Sequence, residues 1–355
     1  MIKKREIDLP LHPGKAPAWL FKRMKTLSGL IIEAIYYELG ENDVLSKLSN
    51  PLWFQSFGCF LGFDWHSSGL TTVLTGAIKE GIKQRGIPVF IAGGKGKTSL
   101  KTPHQIEEIC EKQGMNSDHF IRASRLSAKI DNTLVQDGYN LYHHVFIFTK
   151  KGRWVVIQQG MNEKKGWARR YHWFSEDITN LFIEPHTGII TSRKGFTLNL
   201  VSKKVKNTQN KITEISRENP DKIIKEIKLL KRIKMPERHE ILLKDIKSEN
   251  LRKVLTETYE RKPENFEGLL LIKGTGPKTM RALALLSNLL YSSPLSFEDP
   301  AKYSFAHGGK DGYPYPVDKR NYDKTIQIME KALKRAKLGN REYFKMLKKM
   351  EEVFI

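Results

Sequence analysis

Two aspartates, Asp131 and Asp137, precede a stretch rich in β-branched and aromatic residues that ends in Gln158 and Gln159, with Arg169 and Arg170 close behind. Carboxylates leading into one strand, with a polar pair on the next, could hold Mg²⁺ or Mn²⁺ while a nearby cation stabilises a pentacovalent phosphate; this is metal-dependent phosphodiester hydrolysis. Asp131 and Asp137 are the candidate metal ligands. Gln159 is a weaker candidate because an amide oxygen carries no charge, and Lys129, Arg169 or Arg170 could supply the cation. Acid–base chemistry has a second source in His66, His143, His144, His172 and His186. His143 and His144 are adjacent and so leave opposite sides of a strand, which lets only one serve a given site; His144 is the candidate. Trp65, Trp154, Trp167 and Trp173 lie among these groups and could stack a base, although large aromatics usually fill a core.

A different chemistry is suggested by residues 266–291, FEGLLLIKGTGPKTMRALALLSNLLY. Two apolar helical runs flank a tight turn at Gly274 and Gly276, the pattern of a helix-hairpin-helix. Glycines there allow positive φ and let backbone N–H groups approach an anion, while the second helix presents its positive end to the same place. Lys273, Lys278 and Thr279 would join Gly274 and Gly276 in gripping a nucleic-acid phosphate, a contact that positions a duplex without reading its sequence. A second basic turn, GGKGKTS, follows the β-like run IPVFIAGG and offers Lys95 and Lys97 to an anion. Its glycine spacing does not meet the P-loop pattern.

Periodicity supplies the elements that would position these groups. Helical spacing predicts helices over Phe21 to Leu39 (closed by Gly40), Asp43 to Leu48, Pro51 to Leu61, from Ser67 or Ser68 to Arg85, over TPHQIEEICEKQ, and over 118–135. Residues 9–20, with three prolines, are expected to be extended or turned rather than helical. Alternation predicts an antiparallel hairpin from Tyr139–Phe148 and Arg153–Gln159, with Tyr139, Leu141, His143, Val145 and Ile147 on one face and Tyr142 and His144 on the other. Further strands are expected at Leu181 to Glu184 and Phe196 to Val201. Beyond about 203–220 the chain turns Lys- and Glu-rich and helical, broken by an irregular loop from Ser292 to Pro316. The expected fold is a mixed α/β N-terminal domain (1–205) carrying the hairpin, followed by an all-α domain (206–355) carrying the helix-hairpin-helix.

Of the 355 residues 39% are hydrophobic and 28% charged, which suits a globular chain, and the formal charge of +22 favours a polyanionic partner bound with strong salt dependence. The expected partner is DNA, with RNA not excluded. No lipidation motif or apolar run of membrane-spanning length is present, so no membrane partner is expected. With only Cys59 and Cys110, and no CxxC pair, the expected setting is reducing and cytoplasmic. Oligomeric state is not encoded in any motif.

In the second half, Lys278 together with Pro316-Val317-Asp318 resembles the helix-hairpin-helix DNA glycosylases. That resemblance implies a lysine attacking the sugar C1′ and an aspartate stabilising the developing charge. The chain departs from it in the long gap between Lys278 and Asp318 and in the Lys319-Arg320 that follows. Taken whole, LPLHPGKAPAWLFKRM, LGFDWHSSGLTT, GGKGK, AKIDNTLVQDGYNLYHH, QQGM, ARRYHW, GTGPKTMRALAL and DPAKYSFAHGGKDGYPYPVD resemble a prokaryotic family catalogued as domain of unknown function 763. The resemblance implies a shared two-part architecture and no particular reaction. The combined expectation is a nucleic-acid enzyme of DNA repair or processing, with hydrolysis at Asp131 and Asp137 first. Base excision by Lys278 and Asp318, or binding without catalysis, are its rivals.

Overall fold

The computed structural model describes residues 9–11, 16–191, 194–230 and 248–301. Asp318, the end of the loop after Ser292 and everything beyond lie outside them. The centre is a five-stranded antiparallel sheet of order β1-β3-β4-β5-β6, where β1 is Val89–Lys95, β3 Asn140–Thr149, β4 Trp154–Asn162, β5 Trp167–Phe174 and β6 His186–Ile190. A small ribbon pairs β2 (Val135–Gln136) with β7 (Leu198–Asn199).

Side chains alternate along each strand, so a sheet whose central strands are buried at consecutive positions must be covered on both faces. On one face Ile91, Val145, Ile147, Val155, Ile157 and Phe174 form a core with α1 (Ala18–Leu39), α2 (Glu41–Ser49), α3 (Pro51–Phe60) and α4 (Gly69–Arg85). On the other, Phe146, Phe148, Val156, Tyr171 and Trp173 pack against α6 (Thr102–Gln113) and α7 (Asp118–Thr133). The same cluster continues into Ile212 of α8 (Lys206–Ile215), Ile223 of α9 (Pro220–Leu230), Leu255 of α10 (Ser248–Arg261), Leu269 of α11 (Phe266–Leu271) and Leu283 of α12 (Pro277–Tyr291). The short α5 (Lys97–Leu100) follows β1.

Local chemistry sets several boundaries. Asn50 caps α3, its side-chain oxygen accepting from Leu52 N and Trp53 N at 3.0 Å each, with Pro51 at the first helical position. Gly86 and Gly114 end α4 and α6 in the left-handed conformation. Gly93 is required by crowding: at φ 93° a Cβ there would stand 2.2 Å from the carbonyl oxygen of His144.

The mixed class, antiparallel hairpin and long helices match expectation; three strand details differ. Leu181 to Glu184 forms turns and the strand lies at His186–Ile190. WARRYHWF, for which no element is expected, forms β5, an interior strand of the sheet. Between Leu141 and His143 the register shifts, with Leu141 opposite Gly160 and His143 opposite Gln159. Tyr142 is the extra residue of a bulge, so Leu141 joins the α6/α7 side and the Tyr142 hydroxyl reaches Gln159 on the α4 side.

Candidate functional site

Register gathers polar residues into two rows across one end of the sheet. Lys95, His143, Gln159 and Arg170 are successive cross-strand partners, and Gly94, His144, Gln158 and Tyr171 form the next row. Alternation sends the first row toward α3 and α4 and the second toward α7. Gln159 is thereby separated from Asp131 and Asp137, and Arg169 from Arg170.

On the α7 side, Asp131 is fully buried and accepts from Gln158 Nε2 (2.6 Å), Trp173 Nε1 (2.9 Å) and His186 Nε2 (2.5 Å). Because a carboxylate only accepts, the Gln158 NH₂ group must face it, which turns Gln158 Oε1 toward His144 Nδ1 at 2.9 Å. His144 therefore carries its proton on Nδ1, and Nε2 accepts from the Ser124 hydroxyl at 2.9 Å. Burial, opposed by the Gln158 hydrogen bond, pushes this imidazole down to about 4, so it is neutral at pH 7. A hydroxyl donating to a neutral imidazole is how a nucleophile is activated. Here Ser124 is 2% exposed and its contact packs α7 onto the sheet.

Asp137 accepts from Tyr139 N (3.0 Å), Arg169 Nη1 (2.8 Å) and the Tyr171 hydroxyl (2.7 Å). Burial raises its carboxyl above the ordinary range against the pull of Arg169 and these hydrogen bonds. Arg169 also reaches Asp299 through Nη1 (3.1 Å) and Nη2 (2.8 Å), and the two carboxylates outweigh burial to raise its pKa. Asp299 fixes Gly195 N at 2.8 Å and Ala301 N at 2.9 Å as well. Ser124 is legible after the fact, seven positions before Asp131 on the buried face of α7. Asp299, 130 positions from Arg169, carries no local signal.

The α4 side is built around a cation. Arg170 donates to His172 Nε2 (2.8 Å), Gln55 Oε1 (2.8 Å), Pro51 O (3.1 Å) and Thr71 Oγ1 (3.3 Å), and none of these partners is a carboxylate. Burial lowers it to about 9, and the donation to His172 requires that imidazole to be neutral with its proton on Nδ1. Gln159 donates to Ser68 O (2.9 Å) and the Tyr142 hydroxyl and accepts from Thr71. His143 Nε2 lies 3.1 Å from Thr75 Oγ1, and burial, with His144 and Lys95 nearby, lowers it to about 3. Lys95 is exposed, 5.9 Å from the Tyr142 ring centroid, beside exposed Lys97. His66 is exposed, while Trp154 and Trp173 are core.

A metal at Asp131 or Asp137 would have to displace the internal donors just described. Among the described residues no group of three or more His, Cys, Asp or Glu side chains gathers as a metal site would need. No helix among them is long and apolar enough to cross a membrane.

The turn between α11 and α12 is of another kind. It is locked from behind: Lys129 Nζ donates to Ile272 O (3.3 Å), Gln136 Nε2 to Pro277 O (2.8 Å), and Arg281 Nε to Gln136 Oε1 (2.7 Å). An Arg122–Glu267 ion pair ties α11 to α7. Gly274 sits at φ 89°, and Gly276 caps α12 without a side-chain bond. The amides of Gly274, Gly276, Lys278 and Thr279 donate to no other described residue, and Lys273 and Lys278 are exposed on either side.

The family model described as "Protein of unknown function (DUF763)" matches residues 5–317. No curated protein and no solved structure matches the chain.

Proposed function

Because the chain belongs to the DUF763 family, a premise that supplies relatives but no reaction, we propose on physical grounds that it binds nucleic acid by gripping the phosphate backbone. The grip is a helix-hairpin-helix of α11, the Ile272–Gly276 turn and α12, with DNA as the partner and RNA as the alternative. The observation that carries this reading is the set of four amides without a described acceptor, at Gly274, Gly276, Lys278 and Thr279, on a turn flanked by two exposed lysines and braced from behind. Unsatisfied N–H groups at a helix N-terminus are an anion site by construction, and the +22 charge supplies long-range attraction. Lys95 and Lys97 add basic charge at the end of the sheet.

Metal-dependent hydrolysis at Asp131 and Asp137 is a second reading. It is favoured by the dense burial of Asp131, Asp137, Arg169 and His186 on one sheet face, a density that active sites share with structural ion-pair networks. The base-excision reading needs Asp318, which lies outside the described residues.

Fluorescence anisotropy of a labelled duplex against salt tests the first reading. Replacing Lys273 and Lys278 by Gln together should weaken binding roughly tenfold at low salt and reduce the salt slope by about 2, near 0.9 per lost contact. An unchanged slope would sink the hairpin grip. In the same samples, cleavage that appears with Mg²⁺ or Mn²⁺ and disappears with EDTA and with Asp137→Ala would support the second reading.

A further inference from the structure

One aromatic side chain outside these sites is placed as a ligand platform. Trp19, in the first turn of α1, is 61% exposed, whereas Trp154 and Trp173 are buried and Trp53, Trp65 and Trp167 are partly so. The opposite face of α1 is anchored in the core through Met24, Leu27, Ile31 and Ile35, so the indole projects from a fixed helix. Its neighbours on the outer face are the exposed Lys22 and Arg23, and the Arg23 guanidinium carbon lies 5.5 Å from the ring centroid. Arg23 Nη1 also reaches Trp19 O at 3.5 Å.

We propose that Trp19, with Lys22 and Arg23, stacks an unpaired base of single-stranded nucleic acid while the two cations hold the adjoining phosphates. A flat π-face beside cations is the element that single-strand binders use, and it accepts any base because every base has a π-face. The charge argues for this occupant over a protein surface. Tyr37, 71% exposed at the far end of the same helix, stands beside Glu33 and Glu38 and lacks that complement. The platform is distinct from the α11–α12 turn, since α1 packs on the opposite face of the sheet. It rests on the nucleic-acid reading for its partner class and adds a strand form that the backbone grip does not distinguish.

The test uses the full chain with a labelled thymidine 12-mer and, separately, a blunt duplex, following anisotropy and intrinsic tryptophan emission. The 12-mer should quench wild-type emission, and Trp19→Phe should remove most of that quench. Trp19→Ala should weaken 12-mer binding roughly 5- to 150-fold, the range for loss of one base stack. It should keep its circular dichroism and duplex affinity, with Tyr37→Ala as the control that changes neither. Binding of the 12-mer with unchanged emission, or with equal affinity in Trp19→Ala, overturns the platform. Duplex binding without 12-mer binding overturns it too and leaves the hairpin reading standing. Failure to bind either probe overturns both.

Discussion

The sheet interior and the α11–α12 turn are both dense in polar groups, yet they answer those groups in opposite ways. In the sheet, Asp131 meets three donors and Arg169 two carboxylates, every partner supplied by the fold itself. At the turn, four amides have no described acceptor and two lysines are exposed, while the bracing comes from behind. On the proposed reading, a high density of ionisable residues is a poor guide to where a partner binds. Donors whose surroundings are rigid but whose partners are missing are a better one. Arg169 and Arg170 make the same point on a smaller scale: neighbours on one strand, they face opposite sides, and only the first has counter-charges.

The comparison can be broken by substitutions that affect stability in one region and binding in the other. The largest expected effect is Arg169→Met, which strands the buried Asp137 and Asp299 and should cost about 3–5 kcal/mol in chemical denaturation. Duplex affinity of the folded protein should stay unchanged; a parallel loss of affinity would move the binding site into the sheet. Acid should destabilise by a similar amount per histidine. Unfolded imidazoles take up protons below 6.5, whereas folded His144 waits until about 4 and folded His143 until about 3. Their contribution is complete above 6.5 and is lost as pH falls through that window, by about 3 kcal/mol for His144 and about 5 kcal/mol for His143 at its acid end. Asp137, raised by burial, has the opposite sign above 3.8, so the sharper test is His144→Gln, which should flatten the acid limb of the stability curve. Arg170→Met should cost less than Arg169→Met, about 1–3 kcal/mol, because it orphans only neutral acceptors. Equal losses for the two would deny the contrast between the faces. The smallest stability effect belongs to Lys273→Gln and Lys278→Gln, within ~0.5 kcal/mol for exposed positions, despite the loss of binding.

Much of the fold is legible from periodicity. Helices α1, α4, α6 and α7 and the β3–β4 hairpin announce themselves through their periodicity, and glycines close α1, α4 and α6. β5 does not, since Arg169, Arg170 and His172 read as surface until their buried partners are known. The bulge at Tyr142 is equally silent, and it reverses the facing expected for Leu141 and Tyr142 while leaving that of His143 and His144 correct. The turn residues are the most readable part of the site because glycine spacing and flanking lysines are local. The bracing by Lys129 and Gln136 is not readable, because it crosses more than 140 positions of sequence.

The most direct measurement follows backbone amide resonances of ¹⁵N-labelled protein during titration with a short duplex. If the account is right, Gly274, Gly276, Lys278 and Thr279 shift first and saturate together, while the indole N–H of Trp173, donated to Asp131 inside the sheet, stays in place. Shifts centred on Trp173 and the Asp131 network, with the four turn amides unmoved, would contradict it.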